Sequence, residues 1–139
     1  MQCSRCVLVC LVIILSVQVS FCTEVNVNDG TLEVCSSDPM TGYYRTGICS
    51  TGPTDSGTHT VCAVMDDTFL DFTKSQGNDL STPRGSFPGL KSGDRWCLCA
   101  LRWREALSDG KAPKVIEVAT NKKTLEYVTA EQIQSNALA

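Results

Sequence analysis

The apolar positions of the chain fall into short runs that predict brief strands and helices. Residues 60–65 are almost entirely apolar, which is typical of a buried strand, and residues 95–99 predict a second strand. Asp66-Asp67 predicts the start of a helix that ends just before Gly77. Another helix is expected over residues 100–109. The centre of the predicted fold is therefore two strands, each followed directly by a short helix.

Turn-forming sequences predict two hairpins, one before and one after these central strands and helices. In the first, residues 25–27 pair with residues 32–34 around Asn28-Asp29-Gly30, since Asp-Gly tolerates the positive φ that tight turns need. In the second, residues 115–119 pair with residues 124–128. Both hairpins would add antiparallel pairs to the sheet.

The remaining segments are a short last helix and a long stretch without regular pattern. Thr129 and Gln132 have the spacing of a helix capping box. Residues 78–94 show no periodicity, and loops of that length are often functional. The predicted fold class is α+β, with a small, mostly antiparallel sheet, about three short helices and a long irregular loop.

The first 22 residues have the composition of a signal peptide. Arg5 precedes an apolar run over residues 7–17, and Ser20 and Cys22 suit cleavage before Thr23. A retained anchor is the alternative, but about eleven apolar residues are fewer than the roughly twenty that span a bilayer. We therefore expect a secreted protein, without stable membrane insertion after cleavage, whose single globular domain covers residues 23–139.

The charge of residues 23–139 argues against nucleic acid as a partner. Eleven basic side chains stand against fifteen acidic ones, a net charge of −4, and no basic run is present. Proteins that bind nucleic acid cluster lysine and arginine against the phosphates. The partner that we expect is a small molecule or a protein, and the sequence does not identify it.

The same residues contain five cysteines and one histidine. Because the number is odd, at most two internal disulfides can form and one thiol remains. In a strand, Cys97 and Cys99 project to the same face. If the strand that begins near His59 is a neighbour, His59 and Cys62 could converge with them on a Cys3His zinc site.

Two other roles stay open for these cysteines. His59 could deprotonate Cys62 or Cys99 and make a thiolate nucleophile. Alternatively, Cys62 and Cys97 are small buried hydrophobic residues or disulfide partners. Metal binding, thiol reactivity and a structural role are all compatible with the sequence.

Polar residues in and around the long loop predict a small anionic-ligand site. Arg84 and Arg95 offer positive charge opposite carboxylates. The candidate set is Asp38, Asn78, Asp79, Arg84, Asp94 and Arg95. Loop capping is the alternative for each residue taken singly, because Asp and Asn side chains accept hydrogen bonds from nearby backbone amides.

Several strings of residues resemble a known family. They are CSSDPMTGYYR at 35–45, TGP at 51–53, HTVCA at 59–63, GNDLSTPR at 77–84, FPGLK at 87–91 and GDRWCLC at 93–99. In this order they are similar to the mostly bacterial family called domain of unknown function 2237. The resemblance runs from about Asn26 to the last predicted helix, and the family name implies no activity.

The resemblance implies a role other than disulfides for the cysteines, because the family's members look cytosolic and lack a leader. This chain differs from the family pattern in two places. It has Ile48-Cys49 where the family has Cys-Cys, which accounts for the odd number, and its segment between Arg84 and Phe87 is shorter. Our leading hypothesis is a secreted small-ligand or metal-binding module. A cysteine-thiolate enzyme and a disulfide-stabilised extracellular interaction domain are the alternatives.

Overall fold

The computed structural model describes residues 23–139, so the leader expected over residues 1–22 lies outside the described part. The elements in chain order are β1 (His59–Val64), α1 (Asp67–Ser75), β2 (Arg95–Cys99), α2 (Ala100–Ser108), β3 (Lys114–Val115) and α3 (Ala130–Ser135). Two 3-10 segments, Glu117–Ala119 and Lys122–Glu126, lie between β3 and α3. The predicted α+β class, with short helices and a long irregular loop, is confirmed.

The three strands form one antiparallel sheet in the order β2-β1-β3. The two strands predicted around the cysteines are therefore neighbours, and Cys62 lies opposite Cys97. β2 is an edge strand, and one of its sides is open to the loops that precede it.

A bulge in β1 decides where the single histidine lies. With Cys62 opposite Cys97, a regular ladder would put Thr60 opposite Cys99. The register shifts between His59 and Val61, so His59 lies opposite Cys99 instead. An extra residue in one strand moves the preceding side chain to the other face of the sheet. His59 therefore shares a face with Cys97 and Cys99.

One face of the sheet, which we call the helix face, packs against α1 and α2. Val61 and Leu98 from the strands contribute to a hydrophobic core with Phe69 of α1 and Trp103 of α2, and all four are at most 2% exposed. The indole N–H of Trp103 donates to the carbonyl of Pro113 at 3.1 Å, so the core contains the polar group without leaving it unpaired.

The opposite face, which we call the loop face, is covered by irregular chain. The residues of that cluster are Cys35, Cys49, Cys62, Cys97 and Ala119, with Ile116 packed against them. Regular structure is absent from residues 35–58 apart from isolated bridges. The loop face is thus built from a few sulfur-containing residues and not from a helix.

The helices begin where the sequence supplies caps. The Asp66 carboxylate accepts the N–H of Phe69 at 2.7 Å, which confirms the predicted start of α1. Thr129 and Gln132 form the reciprocal capping box of α3. Gly77 follows α1 with φ +83°, a conformation that glycine adopts without steric cost.

The second predicted hairpin is wrong. In this part of the chain only Lys114–Val115 forms a strand, which pairs with β1, and the two 3-10 segments around Asn121 follow. Asn121 caps the second segment by accepting the N–H of Lys123, and it donates to the carbonyl of Cys49 at 3.1 Å. Those bonds favour a turn over continued strand. The first hairpin is reduced to a bridge between Val25 and Thr31.

Within residues 23–139, none of the helices has both the length and the apolar character needed to cross a membrane.

Candidate functional site

A cleft of about 410 Å³ lies beside β2, between the long loop and the segment that follows Cys35. We call it the aromatic cleft. The side chains that bear on its chemistry are Tyr43, Arg45, His59, Arg84, Phe87 and Trp96. Its volume is in the range of small-molecule sites, and its lining combines aromatic rings with a few charged groups, as such sites usually do.

Trp96 organises the aromatic wall. The Phe87 ring meets it edge-on, with centroids 5.5 Å apart, and the guanidinium carbon of Arg45 lies 5.0 Å from the indole centroid. Trp96 itself is only 6% exposed, so one edge of the indole faces the cleft and the rest contributes to the core. Phe87 thereby fixes the long loop to the body of the protein.

The opposite wall pairs Tyr43 with His59. Their rings are stacked, 6.0 Å apart and inclined by 17°, and the Tyr43 hydroxyl donates to the carbonyl of Thr54 at 2.9 Å. Gly57 lies directly behind the His59 ring, where a side chain would collide with it. The ring is therefore positioned from both sides.

Asp79 closes the turn that carries Arg84. Its carboxylate accepts the hydroxyl and backbone N–H of Thr82 and the N–H of Ser81, and lies 3.4 Å from both Lys74 Nζ and Arg84 Nη2. The Thr82 hydroxyl is the main cause that lowers the pKa of Asp79 to about 2. Asp79 is thus an anion that both shapes the loop and orients Arg84 at the cleft.

His59 is held by a buried carboxylate. Its Nδ1 lies 2.6 Å from Asp55 Oδ1, and its backbone N–H donates to Asp55 Oδ2 at 2.8 Å. The Asp55 side chain is fully buried, whereas that of His59 is 39% exposed. Burial acts to raise the pKa of Asp55, but the hydrogen bonds from His59 and from the Thr51 hydroxyl outweigh it and lower that pKa.

Four of the five cysteines of residues 23–139 form disulfides. Cys35 is joined to Cys62 and Cys49 to Cys97, and Cys99 is free. The odd count was predicted to leave one thiol, and the structure assigns it to Cys99. The implication drawn from the resemblance, that the cysteines have roles other than disulfides, therefore does not hold for these four residues.

The predicted Cys3His zinc site is not formed. The sheet does bring His59, Cys62, Cys97 and Cys99 to adjacent strands, but the sulfurs of Cys62 and Cys97 are bonded to other sulfurs. Zinc binds thiolates, which those two residues do not offer. The Cys62 thiolate considered as a nucleophile is excluded in this structure for the same reason.

The two disulfides lie side by side. The sulfurs of Cys35, Cys49 and Cys62 are all within 4.8 Å of one another, and all three residues are at most 2% exposed. In the oxidised protein this is a compact, buried crosslink between the loop face and the sheet.

The family model described as an uncharacterised protein conserved in bacteria, domain of unknown function 2237, matches residues 25–137. The chain belongs to this family. The resemblance drawn from the sequence strings is therefore confirmed. No curated protein is significantly similar to the chain. The description of the DUF2237 family assigns no activity to its members.

The DUF2237 chain brings together only part of the predicted ligand set. Asp79 and Arg84 line the aromatic cleft, and Asn78 lines a smaller cavity next to it while donating to the Thr73 hydroxyl. The other three lie elsewhere: Asp38 is exposed in a turn, Asp94 accepts from Lys91, and Arg95 is exposed at the start of β2. Loop capping is the role of Asp94, as the alternative reading held.

Sequence reasoning missed Tyr43, Arg45, Phe87, Trp96 and Asp55. Four of them belong to the strings shared with the family. Those strings indicate residues of interest, but they do not show that the four side chains meet at one cleft. Asp55 lies four residues before His59, a spacing that a turn can close. Ser56-Gly57 favours a turn there, but the sequence does not indicate that the Asp55 carboxylate bonds to His59.

Proposed function

We propose that this protein binds a small organic anion with a flat apolar body in the aromatic cleft. The observation that carries the proposal is the placement of Arg45 and Arg84 on a cleft walled by Trp96 and Phe87. A carboxylate would pair with the guanidinium groups, and the rings would cover the apolar body of the ligand.

The charge of the cleft favours an anion. Arg45 has no carboxylate within 4.0 Å among the described residues, and its guanidinium donates one hydrogen bond, to the carbonyl of Gly42. Arg84 shares Asp79 with Lys74. Two guanidinium groups and one carboxylate leave positive charge at the cleft, and both arginine side chains are exposed to an incoming ligand.

Secretion is part of the proposal. Disulfides persist in oxidising compartments, and this chain has two buried ones as well as a leader-like sequence. Ligand binding is preferred to zinc binding because the metal would require both disulfides to be reduced first. It is preferred to a pure interaction domain because the cleft has the size of a small-molecule site.

The experiment is calorimetric titration of the oxidised protein with 1-naphthoate and with its neutral counterpart 1-naphthamide. We expect the carboxylate to bind and the amide to bind at least about tenfold more weakly, because the amide cannot form charge-assisted hydrogen bonds worth about 1.5–3 kcal/mol. Arg45→Gln and Arg84→Gln should each weaken naphthoate binding by a similar factor.

Arg95→Gln is the matched control, since Arg95 belongs to the same strand as Trp96 but is exposed outside the cleft. Its affinity for naphthoate should equal that of the unmodified protein. Equal affinities for naphthoate and naphthamide, or a loss in Arg95→Gln as large as in Arg45→Gln, would contradict the proposal.

A further inference from the structure

A second cavity, of about 250 Å³, adjoins the aromatic cleft and shares His59 with it. Cys99 and Arg102 also line it, and we call it the thiol pocket. Cys99 is the free cysteine of residues 23–139 and is partly exposed. The pocket therefore holds a thiol and an imidazole on the same surface.

The sheet register places those two groups together. His59 and Cys99 are direct partners across β1 and β2 because of the bulge. Directly opposed residues of an antiparallel pair lie on one face of the sheet. Both side chains line the thiol pocket, and no hydrogen bond joins the Cys99 sulfur to the His59 ring in this structure. Without the bulge, Thr60 would occupy the position opposite Cys99 and His59 would be on the other face. Bulges commonly redirect a side chain in this way next to active sites.

Asp55 prepares His59 to accept a proton. A carboxylate only accepts hydrogen bonds, so the 2.6 Å contact places a proton on His59 Nδ1 and leaves Nε2 as the acceptor of the neutral ring. Among the described residues, nothing bonds to Nε2. A nucleophile, a base and a group that orients the base are the components of nucleophilic catalysis.

The start of α2 places backbone donors next to Cys99. Cys99 is the N-cap of α2, a nine-residue helix that has no acidic residue in its first turn. The first N–H of the helix, from Ala100, donates to Thr58, which leaves those of Leu101 and Arg102 without a helical partner. The helix dipole adds positive potential at this end, whereas the Arg102 guanidinium is paired with the Glu105 carboxylate at 2.9 Å.

We propose that Cys99 is a nucleophile toward the acyl group of a small ester or thioester, with His59 as its base and Asp55 as the residue that positions His59. The inference rests on the proposed function in one respect, because the aromatic cleft would hold the body of the acyl substrate. His59 lines both cavities, so a ligand anchored at Arg45 would extend past the His59 ring toward Cys99.

The proposed reaction needs only the ester or thioester and water. The Cys99 thiol gives its proton to His59 Nε2 while sulfur bonds to the acyl carbon, and the leaving alcohol or thiol takes that proton as its bond to carbon breaks. Water then attacks the thioester with His59 as base, which releases the carboxylic acid and restores the thiol. The first-turn N–H groups of α2 are available for the developing oxyanion.

The test follows acylation of the oxidised full chain by p-nitrophenyl acetate. We expect a burst of one equivalent of p-nitrophenol and one acetyl group on Cys99, located by peptide mass mapping so that the cysteines of residues 1–22 are scored separately. Cys99 should also react with iodoacetamide at pH 7 at least about tenfold faster than in the urea-unfolded protein. Absence of Cys99 acetylation, or equal alkylation rates in the two states, would overturn the inference.

The variants assign the roles. Cys99→Ser should abolish the burst, and His59→Gln should slow acylation by about a hundredfold, which is within the usual contribution of a general base. Asp55→Asn should lower the maximal acylation rate and leave the half-saturating ester concentration unchanged, whereas a purely structural role would change both. Unchanged burst kinetics in His59→Gln would remove the proposed base.

Naphthoate titration separates this inference from the proposed function. Cys99→Ser should retain naphthoate binding and the unfolding midpoint of the unmodified protein, because its side chain is not part of the aromatic cleft. A protein that binds naphthoate without Cys99 acetylation would support the cleft and reject the nucleophile. Acetylation without naphthoate binding would do the reverse.

Discussion

The two faces of the sheet are stabilised by different interactions. On the helix face, Val61 and Leu98 pack against two amphipathic helices, and burial of apolar surface accounts for its stability. On the loop face, two disulfides and hydrogen bonds of buried threonine and asparagine side chains hold irregular chain against the same strands. Alternate residues of β1 and β2 therefore face either an apolar core packed against helices or a layer held by disulfides and hydrogen bonds.

The difference explains where the candidate sites lie. Both cavities are lined in part by residues of the loop face, such as His59 and Cys97. Irregular chain can present Tyr43, Arg45 and Asp55 in geometries that a helix does not permit, but it buries little apolar surface. Crosslinks that restrict the unfolded chain compensate for that deficit.

The largest expected effect comes from removing the Cys49–Cys97 disulfide. It closes a sequence separation of 48 residues, for which loop entropy predicts about 4 kcal/mol of stabilisation. We expect Cys49→Ala with Cys97→Ala to lower the free energy of unfolding in urea by about that amount. Reductant should have a smaller effect on this variant than on the unmodified protein.

Leu98→Ala is the control from the helix face of the same strand. Leu98 is 2% exposed, and truncating a buried leucine costs about 2–5 kcal/mol. The difference in unfolding free energy between Leu98→Ala and the unmodified protein should be the same whether both are measured with or without reductant. If the double cysteine variant were as stable as the unmodified protein, the loop face would not depend on its crosslinks.

A matched pair of isosteric substitutions tests the polar part of the comparison. The Thr120 hydroxyl accepts the N–H of Cys62 at 3.1 Å and donates to the carbonyl of Ile116 at 2.9 Å. Thr120→Val leaves that N–H buried without a partner, which costs about 1–3 kcal/mol. Val115→Thr, in the core of the helix face, should cost a similar amount for the opposite reason.

Urea unfolding of both variants gives the measurement. Loss of stability in both would show that each face requires its own chemistry. A Thr120→Val variant as stable as the unmodified protein would mean that apolar packing suffices on the loop face, against the distinction drawn between the faces.

Much of the helix face could be predicted from the sequence, because its signals are local. Asp66 as N-cap, Gly77 beyond α1 and the Thr129–Gln132 capping box each act within one turn of chain. The apolar runs also gave β1 and β2 to within about a residue. Neighbouring residues suffice to specify such elements.

The loop face could not be predicted in the same way, because its contacts join distant residues. Five cysteines that form two disulfides allow many pairings, and nothing local selects Cys35 with Cys62. The predicted hairpin over residues 115–128 failed because Asn121 bonds to Glu24 and to Cys49, which lie far away in the sequence. β-branched residues there indicated strand, and tertiary contacts overrode that preference.

The candidate site also depends on a feature that the sequence does not predict. Cys99 and His59 were both proposed from the sequence, but a regular strand would separate His59 from the face of Cys99. The bulge that joins them is a shift of one residue, and the sequence carries no distinct signal for it. Asp55 was missed because its role depends on the turn that precedes β1.

The smallest expected effect concerns the pH dependence of the loop face. The folded pKa of Asp55 lies below its ordinary value of 3.8, so the folded protein binds fewer protons at this group than the unfolded chain does near that pH. The stability that Asp55 contributes is therefore complete above about pH 4 and is lost as pH falls through the lower folded pKa.

Asp55→Asn should be less stable than the unmodified protein at pH 6, and the difference should shrink at pH 3. Urea unfolding at the two pH values, with the disulfides oxidised, measures it. If the difference in unfolding free energy stays constant with pH, the Asp55 carboxylate does not stabilise the fold through its charge. Packing around His59, and not its ion pair with Asp55, would then hold the ring in place.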